Sequence, residues 1–450
     1  MAKTRSVYIC DRCGDESLKW QGQCPSCGAW NTLSAVTAPA KSPNRASWAA
    51  SGGGSRLLNE ISENEILRFS TGLAELDRVL GNGLVPGSVT LLGGDPGIGK
   101  STLLLQAGDS LSQSVATLYV TGEESLQQVS LRARRLGTAG QTLRLLAETS
   151  VETVIAEASA VKAKVLVIDS IQTMHTENVE SSPGSASQVR ESAAQLLRFA
   201  KSSGVAVLLI GHVTKEGMIA GPRILEHMVD TVLYFESDAG SRYRMVRAVK
   251  NRFGAANEVG VFAMSEDGLK EVKNPSAIFL SQHPKPVSGS AVLVAREGSR
   301  PMLIEVQALV DQSQAMNPRR VAVGIEQQRL AMLLALLHRH GGVATSGQDV
   351  FVNVVGGVHI AETAADLPAV LAVVSSVRDV PLAQELVCFG ELGLAGEIRP
   401  VPYGEERLRE AVKHGFKRAV VPAANEPRRA IEGLSVLAVN RLADALRCAF

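Results

Sequence analysis

Residues 91–102 read LLGGDPGIGKST, and these residue types at this spacing bind phosphate. The glycines of Gly94-Asp95-Pro96-Gly97-Ile98-Gly99 let backbone N–H groups converge on phosphate oxygens. Lys100 adds a point charge at the β- and γ-phosphates, and the hydroxyl of Ser101, followed by Thr102, is a ligand for Mg²⁺. The expected cofactors are therefore ATP and Mg²⁺. Hydrolysis needs further groups, and the sequence offers them. Asp169 ends an apolar run and is placed to hold the metal through water. Glu123 or Glu124 can polarise the attacking water, and His212 can sense the γ-phosphate. A second constellation opens the chain: Cys10 and Cys13 form one CxxC pair, Cys24 and Cys27 another, ten residues apart. Two such pairs place four thiolates around a tetrahedral Zn²⁺, with two disulfides as the alternative; four cysteines leave no open coordination position, so the zinc is structural.

These groups need a scaffold that brings distant segments to one edge. Apolar runs at 89–92, 117–120, 165–168, 205–210 and 231–235 read as strands, with helical stretches between them. The clearest helix is 187–203, with Val189, Ala193, Leu196, Leu197 and Ala200 on one face and Gly204 after its end. This alternation predicts an α/β fold with a mostly parallel sheet covered on both faces. Ligands of such sheets bind beyond the carboxyl ends of the strands, where all the polar groups named above fall.

At 450 residues, 45% hydrophobic and 20% charged, the chain has room for several domains with large cores. We expect a four-cysteine zinc module at 1–34, a flexible linker rich in Ala, Pro, Ser and Gly at 35–56, an ATPase core at 57–285 and a separate domain at 286–450. The longest unbroken apolar run, 330–337, is far shorter than the ~20 residues a membrane span requires. No apolar leader opens the chain, so the expectation is a cytoplasmic protein without a membrane partner. A formal net charge of +1 leaves any nucleic-acid binding to local patches.

Five motifs together are similar to the RadA (Sms) family of bacterial DNA repair proteins. They are the P-loop at Gly94, Gly122-Glu123-Glu124, Val167-Ile168-Asp169-Ser170, the GHVTKEG run from Gly211, and Lys250-Asn251-Arg252-Phe253-Gly254. The cysteine module and the carboxy-terminal part fit the same family, so the resemblance covers essentially the whole chain. The pentapeptide is the specific signature, since a P-loop alone is shared by many unrelated ATPases. The resemblance implies a RecA-like ATPase that forms a homohexameric ring on single-stranded DNA and drives branch migration of recombination intermediates. Single-stranded and branched DNA and the RecA recombinase are the implied partners. Loops 175–190 and 213–223, carrying Lys215 and Arg223, occupy the positions of the two DNA-binding loops of such cores. In a ring, Lys250 or Arg252 would reach the γ-phosphate held by the next subunit, as an arginine finger does.

The run 390–401 is similar to the Lon protease domain, which implies an α+β Lon-protease-like fold at the carboxy terminus. Lon chemistry needs a serine nucleophile and a lysine that deprotonates it. The matching positions here hold Pro368 and Glu405, so a proteolytically inactive scaffold is expected, with Arg378, Arg399, Arg407 and Arg409 as candidate phosphate contacts. Two other function classes compete with a DNA-stimulated motor: an ATP-dependent protease, disfavoured by the loss of both residues, and a slow nucleotide-gated binding module.

Overall fold

The computed structural model describes residues 6–10, 16–17, 19–25, 27–31, 33–37, 67–138, 140–212, 223–237, 242–281 and 285–450. It divides into two compact units, Met1–Ser55 and Arg56–Phe450. In the first unit, β1 (Ser6–Cys10) pairs antiparallel with β2 (Glu16–Ser17) and with β3 (Leu33–Thr37). Strand β3 carries Ala35, Val36 and Thr37 into the stretch expected to be linker. Trp20 and Trp30, which a module this small would be expected to use as its core, are instead 58% and 70% exposed.

In the second unit, α1 (Ala74–Leu80) precedes a nine-stranded sheet. Six of its strands are mutually parallel: β4 (Val89–Gly94), β5 (Thr117–Thr121), β6 (Arg144–Ala147), β7 (Val165–Asp169), β8 (Ala206–His212) and β9 (Thr231–Glu236). Between them run α2 (Lys100–Ser112), α3 (Leu126–Arg135), α4 (Val151–Ala160), α5 (Ala186–Ser203) and the short α6 (Arg223–Glu226). An antiparallel meander of β10 (Tyr243–Asn251), β11 (Val259–Ser265) and β12 (Gly268–Glu271) extends one side, giving the order β12-β11-β10-β9-β4-β8-β7-β5-β6. Strands β4, β5 and β7 are buried along their whole length, which is why they read as largely apolar runs. The edge strand β6 has no buried residue, and no comparable apolar run announces it. Helices cover both faces, with one core around Leu103, Leu104 and Tyr119 and another around Val154, Leu196 and Leu209.

Helix α7 (Ser276–Phe279) leads into a mixed seven-stranded sheet. Its strands are β13 (Ser290–Glu297), β14 (Arg300–Gln312), β15 (Arg320–Val323), β16 (Gln348–Val354), β17 (Leu386–Cys388), β20 (Arg418–Pro422) and β21 (Ser435–Val439), with α8 (Gln327–Gly341), α9 (Asp366–Arg378), α10 (Gly404–Lys413) and α11 (Leu442–Ala449) packed on it. Strands β18 (Glu391–Leu392) and β19 (Ile398–Arg399) form a separate pair. The β13–β14 turn lies against the first sheet and its α1: Glu297 pairs with Arg247 at 2.5 Å, Arg300 with Glu75 at 3.0 Å, and the amide of Ser299 donates to Glu258 at 2.7 Å. Among the described residues no helix is long and apolar enough to cross a membrane.

Candidate active site

Four strand ends meet at one edge of the parallel sheet. Gly94 of β4 is level with His212 of β8, and Thr121 of β5, just before Glu123, is level with Asp169 of β7. The groups proposed from the sequence for phosphate, metal, base and sensor are therefore gathered by sheet register alone. After β4 the chain turns through Asp95, Pro96, Gly97, Ile98 and Gly99 and enters α2 at Lys100, so the unpaired N–H groups of the first helical turn face the loop. Gly97 has φ +76° and no atom within 4 Å of the place a Cβ would occupy, an open backbone cradle.

Lys100 is only 3% exposed, and its ammonium donates to the carbonyls of Gly94 at 2.7 Å and Asp95 at 2.8 Å. Burial lowers its pKa to about 8, against the opposing charges of Asp169, Asp95 and Glu123. A buried cation held only by two carbonyls, with three carboxylates acting on it and a row of N–H groups beside it, is a donor set that fits a polyphosphate with its metal. Ser101 and Thr102 follow, both half-buried in the first turn of α2.

The two glutamates differ in their partners. Glu124 pairs with Arg132 of α3, and its backbone N–H and C=O are both bonded to the Thr121 hydroxyl. Glu123 points to the strand ends, where its Oε1 accepts from Ser170 Oγ at 2.5 Å and faces His212 Nε2 at 3.2 Å. The His212 bond, with help from Ser170, holds the Glu123 carboxyl at about 2, so it is ionised at working pH. His212 is positioned by Gln172, whose Nε2 donates to its carbonyl at 3.3 Å. Sequence reasoning passed over Ser170, Gln172 and Arg244, whose Nε donates to the Ile98 carbonyl of the P-loop at 3.2 Å.

Lys250 and Arg252 lie elsewhere. Gly94 is level with Phe235, and Phe235 with Val246, whereas Asn251 is level with Thr231 at the opposite end of β9. The end of β10 that carries Lys250 thus faces away from its own P-loop. Lys250 Nζ donates to the carbonyls of Glu226 and Val229 at 2.7 and 2.8 Å, and Arg252, with a 59% exposed side chain, bonds to Asp230 at 3.3 Å. Buried Asp230 is held further by the amide of Val89 and by Lys201. The rest of the pentapeptide shapes this corner. Asn251 donates to the Val79 carbonyl and accepts from the Phe253 amide, and Gly254 lies so close to Gly81 that a Cβ on it would stand 2.8 Å from the Gly81 Cα.

Of the expected DNA contacts, Lys215 lies outside the described residues and Arg223 begins α6. The 175–190 segment is more ordered than a free loop. Gln188 Nε2 ties together the carbonyls of Thr176, Val179 and Ser181, and α5 already starts at Ala186. In the cysteine module, Cys24 and Cys27 share one tight turn in which the Gly28 amide donates to the Cys24 carbonyl and Gly28 takes φ +69°. That knuckle fits a thiolate-held metal. Cys10 ends β1, and Cys13 lies outside the described residues.

One expectation for the carboxy-terminal domain is overturned. Arg407 is 1% exposed, bonded through both terminal nitrogens to Glu362 and by further bonds to the carbonyls of Val294 and Pro402, so it cannot reach a phosphate in solution. It lies on the apolar stripe of α10 with Leu408 and Ala411. Arg399 and Arg409 are exposed but paired with Glu397 and Glu405, and Arg378 lies over the Phe450 ring. Pro368 is buried in the first turn of α9.

A P-loop opening a helix from the central strand of a parallel sheet, with a glutamate and an aspartate on neighbouring strand ends, defines a RecA-like ATPase. Residues 60–218 match the family model of an AAA domain, residues 8–35 that of a rubredoxin metal binding domain, and residues 304–425 that of subunit ChlI of Mg-chelatase. The chain belongs to the RadA family of DNA repair proteins. It is 59% identical over 452 residues to DNA repair protein RadA of Pseudomonas aeruginosa, with 100% of both chains covered. The identity is 57% over 454 residues to that of Escherichia coli K12 and 47% over 453 residues to that of Bacillus subtilis 168, with 99% of each chain covered.

Proposed function

We propose that this chain is a DNA-stimulated ATPase of DNA repair and homologous recombination. It assembles as a homohexameric ring, moves along single-stranded DNA and drives branch migration beside RecA. Within each subunit Lys100 and the loop 94–99 bind the phosphates of ATP, Ser101 and Asp169 hold Mg²⁺, Glu123 orients the attacking water and His212 reads the γ-phosphate. Cys10, Cys13, Cys24 and Cys27 hold zinc. The Lon-like domain carries no protease activity, because a buried proline and a glutamate stand at the nucleophile and base positions.

One observation carries the ring reading. Lys250 and Arg252 lie at the end of β10 that points away from their own P-loop, with about 13 Å of extended strand between that end and the residues beside Gly94. A cation at that distance cannot stabilise charge on its own nucleotide, and it can act on a neighbour's. Arg252 is the more exposed of the two, and Lys250 braces the corner from which it projects. The test is complementation. Lys250→Ala and Glu123→Gln proteins, each impaired in turnover, should regain DNA-stimulated hydrolysis when mixed, since mixed rings contain sites with an intact base facing an intact finger. No recovery at any ratio, with mixed rings verified by native mass spectrometry, would refute action between subunits.

A further inference from the structure

Tyr119 lies in the middle of β5, two residues before its end, on the sheet face covered by α2. Its ring is 0% exposed and packs among Leu103, Leu104 and Ala107 of that helix. For packing alone a phenylalanine would serve better, because a buried hydroxyl costs free energy unless it is bonded. The hydroxyl is bonded: it donates to Asp169 Oδ2 at 2.5 Å, reaching diagonally across from β5 to the end of β7. The neighbouring strand end is pinned separately by the Glu124–Arg132 pair.

Resting on the reading of Asp169 as the metal carboxylate, we propose that Tyr119 is a positioning residue for that metal. By occupying Oδ2 it fixes the carboxylate's rotation and leaves Oδ1 for the hydrated cation. A phenol suits this task because it is a neutral donor. A lysine or arginine in its place would orient the carboxylate equally well, but would neutralise the charge the cation needs. The strand geometry also supplies stiffness, since the donor sits on a strand paired on both sides and under a helix, and cannot follow the carboxylate into another rotamer.

The test uses the full chain with a non-hydrolysable ATP analogue, and Mn²⁺ as a paramagnetic probe counted by electron spin resonance. Tyr119→Phe should raise the Mn²⁺ concentration for half-saturation about tenfold, the loss of one hydrogen bond to a charged group, while metal-free nucleotide binding in EDTA stays within twofold. Asp169→Asn should weaken Mn²⁺ binding more, and adding Tyr119→Phe to it should change nothing further. If Asp169→Asn weakens Mn²⁺ binding and Tyr119→Phe leaves it within twofold, the proposal for Tyr119 fails and the Asp169 reading stands. If Asp169→Asn itself has no effect, that reading fails. A Tyr119→Phe chain that no longer folds, or that loses metal-free nucleotide binding, would show that the hydroxyl supports the core rather than the metal site, and would overturn the proposal.

Discussion

Glu362→Ala tests whether Arg407 is a buried structural charge or a contact for DNA. In the intact chain the Arg407 guanidinium makes two bonds to Glu362, at 2.6 and 2.9 Å, and is otherwise held by the Val294 and Pro402 carbonyls. Removing the carboxylate leaves a cation with almost no access to water and only two neutral acceptors. Breaking a buried pair in this way costs about 3–5 kcal/mol. The Glu362 side chain is 25% exposed, so water can enter from its side, and the low end of that range applies. About 3 kcal/mol corresponds to a fall of roughly 6–12 °C in the melting temperature of a domain of this size. Differential scanning calorimetry of the full chain measures it. Adding Arg407→Met to Glu362→Ala should recover most of the loss, since the orphaned charge is gone. A Glu362→Ala protein that melts within about 2 °C of the parent, a shift worth about 1 kcal/mol or less, yet binds single-stranded DNA more weakly, would refute the structural role and restore Arg407 as a phosphate contact.

Gly254→Ala places a methyl group 2.8 Å from the Gly81 Cα and 3.0 Å from Asn251 Nδ2, and should cost about 1–3 kcal/mol of stability. Displacing the Lys250–Arg252 corner, it should lower DNA-stimulated turnover well beyond any effect on ATP affinity, and equal losses in both would contradict this. The parent should carry one zinc per chain by plasma mass spectrometry and Cys24→Ser none, with ATP affinity unchanged, and zinc retained by the variant would sink the four-cysteine assignment. Because His212 and Ser170 hold Glu123 at about 2, hydrolysis by the parent should show no acid limb from this base above pH 5. His212→Ala removes the larger of these effects and should move Glu123 up toward its ordinary value. Any residual turnover should then fall as the pH drops toward 5, and an unchanged acid side would exclude the hydrogen bond as the cause.

What the sequence disclosed follows from how each element is buried. Strands covered on both faces are mostly apolar, so β4, β5 and β7 stand out even with Thr90 and Thr117 buried in them, and the polar residues at their carboxyl ends mark the edge where the candidate site lies. Strand β6 has no buried residue, and its run Arg144–Ala147 carries no such mark. Glu123 and Glu124 are adjacent and identical in type; what separates their settings is Arg132 on one and Ser170 and His212 on the other. Arg407 was legible in part, since Gly404, Arg407, Leu408 and Ala411 form the inward stripe of α10. The charge suggested a surface, whereas the spacing pointed inward, and its partner Glu362 lies too far along the chain for spacing to reveal. Ser170, by contrast, sits beside Asp169 in sequence, and its bond to Glu123 exists only because β5 and β7 are neighbours.

Strand β10 has a consequence for timing. Near one end it carries Arg244, bonded to the P-loop of its own subunit, and near the other it carries Lys250 and Arg252, which under the proposed ring would serve the adjoining nucleotide. From Met245 to Arg247 the strand pairs with both β9 and β11, but after Ala248 its register against β9 shifts, and Lys250 and Asn251 pair with β9 alone. The two ends are therefore joined through a bulge. Under the proposed ring, movement at one P-loop would reach the adjoining site only through this bulge, so the give of a two-residue joint would set how closely neighbouring sites keep time.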